Sequence, residues 1–210
     1  MTNARRNPAT VVVSSNHLYA IIGFNAAPDY TAVNEHFDGS NWFTEAPIPV
    51  PHAHSRGTAV GQIIYVPGGF NSVSFGGPLD TMQIYNTLTR TWSSGATMPG
   101  TRGGVATATF NGMVYIIAGY TTPFPTATNT VFIYNPGTNS YTTGAPMPGI
   151  QGNVVGVLFN GEIYVVGAEL SQGRNTLTTQ PLTRGVPSPH CQRPTAHARV
   201  MPGSFSMNCG

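Results

Sequence analysis

Thirteen positions before a recurring tyrosine stand Arg6 (before Tyr19), His52 (before Tyr65), Arg102 (before Tyr115) and Gln151 (before Tyr164). Two guanidiniums, an imidazole and an amide in matching places would hold a carboxylate, a sulfate or an acidic peptide by charge-assisted hydrogen bonds. The competing reading is that each ties its own loop to a neighbouring carbonyl. A second set follows the same tyrosines: Asn25, Asp29 and Tyr30, then Phe70, Asn71 and Phe75, then Tyr120, Phe124 and Asn129. Aromatic rings beside amides and glycines make an adaptable surface for a peptide or a glycan, unless the rings are spent on packing.

Catalysis has less to work with. The carboxylates are Asp29, Glu35, Asp38, Glu45, Asp80, Glu162 and Glu169, and none recurs at a fixed offset from another, so no acid/base pair is marked. His52 and His54, one residue apart on an extended segment, would point to one side with a spacing that suits a metal. His190, Cys191, His197 and Cys209 are zinc-type ligands whose spacing matches no short knuckle. Gly100 to Gly104 lacks the Lys-Ser/Thr ending of a phosphate loop. The expectation is a non-catalytic chain with no cofactor and no metal.

These residues need elements to position them, and composition limits the choice. In 210 residues there are 25 Gly and 18 Pro but only 9 basic and 7 acidic side chains, all nine bases being Arg. So much Gly and Pro would break helices repeatedly while serving turns between short strands, which makes the chain all-β. The scattered arginines form no stripe, which argues against nucleic acid, and no apolar run reaches the ~20 residues of a membrane span. Met1 to Thr10 lacks a signal-peptide core. That points to the cytoplasm, or outside the cell if the chain is part of an exported protein. Both cysteines, Cys191 and Cys209, lie near the end, so no disulfide framework supports the body.

Repetition organises the rest. The tyrosines at 19, 65, 115 and 164 sit in apolar runs 46, 50 and 49 residues apart. A second aromatic follows at Phe37, Tyr85 and Tyr134, a third at Trp42, Trp92 and Tyr141, then Ile48-Pro49, Met98-Pro99 and Met147-Pro148. From the third aromatic to the next tyrosine is always 23 residues, so length variation is confined to loops. Each repeat reads as four strands, A to D: in the third copy Val105 to Phe110, Met113 to Ala118, Thr130 to Tyr134 and about Ser140 to Thr143. Asn111-Gly112 and Asn160-Gly161 suit two-residue A–B hairpins, which need φ > 0 twice. Small and β-branched residues on A, with aromatics on B to D, suggest sheets tapering toward an axis.

At residues 4 to 167 the pattern of an apolar run ending in Gly, then Tyr, Trp and Ala-Pro-Met-Pro resembles the kelch family of β-propellers. The resemblance departs in detail: only the second copy has a double glycine, Gly68-Gly69, and Tyr141 replaces the third Trp. It implies an incomplete propeller of about three and a half blades over 1–170. The blades lie near 4–49, 50–99 and 100–148, with a half blade at 149–170 and an irregular tail at 171–210. An open arc exposes apolar faces, so self-association or the remainder of a longer propeller would cover them. The aligned positions and loop residues point to a protein- or peptide-binding module, with glycans as further ligands, that uses Arg6, His52, Arg102, Gln151, Asp29, Tyr30, Asn71, Phe75, Tyr120 and Phe124. The alternatives are a carbohydrate-active enzyme and a structural extracellular repeat. Kelch-like copper oxidases need a tyrosine linked to a cysteine, and the repeats contain no Cys.

Overall fold

The computed structural model describes residues 1, 3–14, 16–25, 30–71, 77–150 and 152–167, and the backbone of Phe205–Met207. The described residues are strands, turns and loops without helix. They form an all-β, incomplete propeller of three four-stranded antiparallel sheets and a fourth, smaller one.

The first sheet is β1 (Ala9–Val13), β2 (His17–Ile21), β3 (Asn34–Phe37) and β4 (Trp42–Thr44) in chain order. The second repeats that order with β5 (Thr58–Val60), β6 (Ile63–Pro67), β7 (Met82–Asn86) and β8 (Thr91–Ser94). The third is β9 (Ala106–Phe110), β10 (Met113–Ile117), β13 (Val131–Asn135) and β14 (Ser140–Thr143). Its strands begin and end within one residue of the bounds read from sequence. Asn111 and Gly112 adopt φ of 48° and 73°, and Asn160 and Gly161 adopt 52° and 79°, as the hairpin dipeptides require. Between β10 and β13 the chain inserts a small hairpin, β11 (Tyr120–Thr121) paired with β12 (Thr126–Ala127), which the repeat pattern did not indicate. The fourth sheet is β15 (Val155–Phe159), β16 (Glu162–Val166) and β17 (Phe205–Met207). The remainder of the 171–210 segment, with the histidines and cysteines considered for zinc, lies outside the described residues.

Strands β1, β5, β9 and β15 lie side by side at the inner edge, and β4, β8 and β14 form outer edges. Backbone bonds stitch neighbours there: Gly23 N–H donates to His52 O at 3.1 Å and Gly69 N–H to Arg102 O at 2.8 Å. Gly69 sits at φ 99°, and a Cβ on it would strike the His52 ring, so a residue with a side chain cannot make this approach.

The core is three layers between sheets. Ala9, Val11, Val13 and Ile21 of the first sheet meet Ile64, Val66 and Tyr85 of the second, closed by Ile48 of the linker. Tyr65, Met82 and Met98 meet Val114, Ile116, Phe132 and Tyr134. Ala106, Ala108, Ile117 and Met147 meet Ile163 and Val165. Alternation along each strand sends successive residues into different layers, and burial of each large side chain contributes roughly 1.5–3 kcal/mol. The linker prolines thus follow a buried plug, Ile48, Met98 or Met147, that fills the gap the taper leaves.

Candidate ligand-binding face

The residues read as a ring of donors fall into a different register. In the first hairpin Val13 pairs with His17, leaving three residues in the turn; Val60 pairs with Ile63 and Phe110 with Met113, leaving two. That extra residue shifts counting from the tyrosine by one. Tyr19 faces Val11, Tyr65 faces Thr58 and Tyr115 faces Ala108, so the residue matching His52 and Arg102 is Arg5, not Arg6.

Arg5, His52 and Arg102 are anchors inside the fold. Arg5 Nη1 donates to Glu35 Oε2 and Nη2 to Ala20 O, each at 2.6 Å, with both side chains buried. His52 is fully buried; its Nδ1 lies 2.8 Å from Val50 O and must carry the proton, because a carbonyl only accepts. Gln83 binds the same residue, accepting from Val50 N–H at 2.9 Å and donating to Val50 O at 3.2 Å. Arg102 donates to Thr101 O at 2.6 Å and to Thr130 Oγ1 at 2.5 Å, with its guanidinium 4.5 Å from the Phe132 ring centroid. Their opposite numbers are also equivalent, since Glu35, Gln83 and Phe132 pair with Ala20, Val66 and Ile116. One junction is therefore built three ways: as an ion pair, as a shared carbonyl and as a cation over a ring. Burial lowers the His52 pKa to about 4, against the opposing pull of the Val50 bond, and burial also lowers that of Arg102.

Arg6 is exposed, with its guanidinium 5.9 Å from the Phe24 ring. It marks one end of a row of rings crossing three sheets on the side of the B–C loops. Tyr30 and Phe24 are 6.4 Å apart, Phe24 and His54 5.8 Å, His54 and Phe70 6.1 Å, Phe70 and Phe124 5.6 Å, and Phe124 and Tyr120 5.2 Å. Phe70 and Tyr120 are buried and back the row, Tyr30, Phe24 and His54 are half-buried, and Phe124 is exposed. A Cβ on Gly103 would enter the Phe70 ring and one on Gly152 the Tyr120 ring, so each buried ring lies on the glycine that opens the next sheet. Phe24, Phe70 and Tyr120 each stand five residues after a repeat tyrosine, a periodicity that was visible in the sequence. His54 was paired with His52 as a metal candidate, but its φ of 55° turns the chain, so one ring enters the core and the other joins the row. Asn7 Nδ2 lies 3.0 Å from His54 Nε2. Asn71 is exposed at the same side, with its N–H donating to Gly77 O at 3.5 Å. Asp29, Phe75 and Gln151 lie outside the described residues. Among the described residues no group of three or more His, Cys, Asp or Glu is placed to hold a metal.

Away from this face, Glu45 is buried between the first two sheets. It accepts from Tyr85 OH at 2.7 Å and from Arg90 Nε and Nη2 at 2.8 and 3.0 Å, and its Oε1 lies 2.5 Å from His36 Nδ1. Burial pushes its pKa up, but the bonds from Tyr85, Arg90 and His36 outweigh that and hold it below the usual value. His36 is stacked between Tyr19 and Phe43.

The kelch motif matches residues 51–99 and 101–148, which span the second and third sheets with their lead-in segments. No curated protein matches. Among solved structures the chain is similar to YjhT, with 15% identity and a TM-score of 0.69 over 84% of this chain and 62% of that one. This chain therefore spans less than two thirds of that protein's solved length. The chain thus carries the kelch motif twice, and the strand order of those two sheets is present again in the first sheet.

Proposed function

We propose that the chain is a non-catalytic binding module whose B–C face recognises a protein segment, or a glycan, through its row of aromatic rings. The observation that carries this reading is the continuity of Tyr30, Phe24, His54, Phe70, Phe124 and Tyr120 over three sheets. Two rings are locked beneath and Phe124 stands in solvent, so contact area is offered with little side-chain entropy left to lose. Arg6 at one end and the Asn7 and Asn71 amides supply polar direction. The chemistry favours a neutral or weakly acidic ligand with apolar faces, such as an extended peptide or a sugar ring.

The test is display of the full chain against a peptide library and a glycan array, followed by titration of the best ligand. Phe124→Ala should weaken binding about tenfold, near 1.4 kcal/mol, since an exposed ring held against two buried ones is the type of residue that dominates such surfaces. Leu88→Ala, at an exposed turn of the second sheet, should leave affinity unchanged. Equal affinity for wild type and Phe124→Ala would remove the face from consideration.

A further inference from the structure

Each interface between sheets joins the same two surfaces. The back of a sheet is formed by its innermost strand: Ala9, Val11 and Val13 with Ile21 in the first, and Ala106 and Ala108 with Ile117 in the third, all buried under the next sheet. The front is formed further out: Ile64 and Tyr85 in the second, Val114 and Tyr134 in the third, again buried. The third aromatic completes it, because Trp92 Nε1 donates to Ala46 O at 2.8 Å and Tyr141 OH to Ala96 O at 3.1 Å across the gap.

Among the described residues, one back and one front lack such cover. At the register of Ala106, Ala108 and Phe110, the fourth sheet carries Val155, Val157 and Phe159, which are 42%, 50% and 59% exposed, and Val166 beside them is exposed too. At the register of Val114, Tyr134 and Tyr141, the first sheet carries Leu18, Phe37 and Trp42, all half-buried, and Val12 paired with Leu18 is 66% exposed. An apolar row left in water on a sheet face is unfavourable and marks a docking surface.

We propose that the back of the fourth sheet takes the front of the first sheet of a second copy, head to tail. The two surfaces are the complementary halves of an interface that this chain already builds three times, so a second copy brings the matching half in the right register. The ionic groups on the front, Arg5 and Glu35, are already paired with each other, and on the back Glu162, cross-strand from Phe159, accepts from Tyr164 OH at 2.9 Å. The contact is heterologous, and four sheets from each of two copies close into eight, within the range of known propellers; a contact that does not close would instead extend into a filament.

The mass of the full chain by light scattering during gel filtration tests this. Two copies or more of the 22.2 kDa chain are expected. Val157→Arg and Val12→Arg should each halve a dimer's mass to that of one copy, and mixing the two variants should restore a species with one copy of each, since each keeps the face the other has lost. Both sites are exposed, so circular dichroism should show the sheets intact; Phe159→Arg repeats the first arm at an independent position. A wild-type chain with the mass of one copy at the highest soluble concentration overturns the proposal. So does association that survives Val12→Arg but not Val157→Arg, which would mean that backs meet backs. So does a mixture of the two variants that stays at the mass of one copy.

Discussion

Replacing His52 by Asn should remove a defined part of the chain's sensitivity to acid. The folded imidazole is wholly buried, its Nδ1 proton is given to Val50 O, and its Nε2 has no partner among the described residues. A second proton would place a charge in an apolar site with no acceptor, which is why the pKa lies at about 4 in the folded chain against 6.5 for the free side chain. Between those values the unfolded chain binds a proton that the folded chain refuses. Stability is therefore at its full value above pH 6.5 and falls as pH drops toward 4, below which both states are protonated and the slope vanishes. A difference of roughly 2.5 pH units at about 1.4 kcal/mol each amounts to ~3 kcal/mol. Asn can keep the donor to Val50 O without titrating. Its smaller volume costs a pH-independent ~1 kcal/mol, so the variant should start less stable at neutral pH and overtake wild type as pH falls. Denaturant unfolding of both proteins over a series from about pH 7 to pH 4 reads this directly, and carboxylates common to both cancel in the difference. If the two stability curves stay parallel through that window, the buried neutral imidazole is not what couples the fold to pH.

Glu45→Gln keeps the shape of the side chain but leaves the Tyr85 hydroxyl and His36 facing an amide in a buried site. We expect a loss of ~2 kcal/mol in denaturant unfolding, less than for a fully buried ion pair because Arg90 is largely exposed. Gly103→Ala would drive a methyl group into the Phe70 ring, and calorimetry should show destabilisation of ~1–3 kcal/mol. Because Phe70 backs Phe124, the same variant should also weaken any ligand that Phe124→Ala weakens.

The strands of the third sheet were legible almost to the residue, because Asn111-Gly112 fixed one turn and the alternation around Tyr115 and Tyr134 fixed the faces. The taper was legible from Ala106 and Ala108. What failed was the equivalence of Arg6 with His52 and Arg102: counting from the tyrosine assumes equal turns, and one extra residue between Val13 and His17 moves the match to Arg5. The row of rings was largely visible. Tyr30, Phe70, Tyr120 and Phe124 were singled out, but Phe24 was passed over despite the five-residue offset it shares with Phe70 and Tyr120. His54 could not be placed, since nothing in its neighbours announces the left-handed backbone that separates it from His52. The β11–β12 hairpin was hidden because two-residue strands carry no periodicity.

The matched junctions of Arg5 with Glu35, His52 with Gln83, and Arg102 with Phe132 bear on any attempt to shuffle or lengthen this array. A transplanted module must carry both members, because the partners are 30 residues or so apart in the chain yet meet in space. Grafting the His52 lead-in opposite Glu35 would set a neutral imidazole against a sequestered carboxylate, and grafting Arg102 opposite Gln83 would strand a guanidinium above an amide. The unit of exchange here is the couple, and its cut points are given by strand register rather than by distance along the sequence.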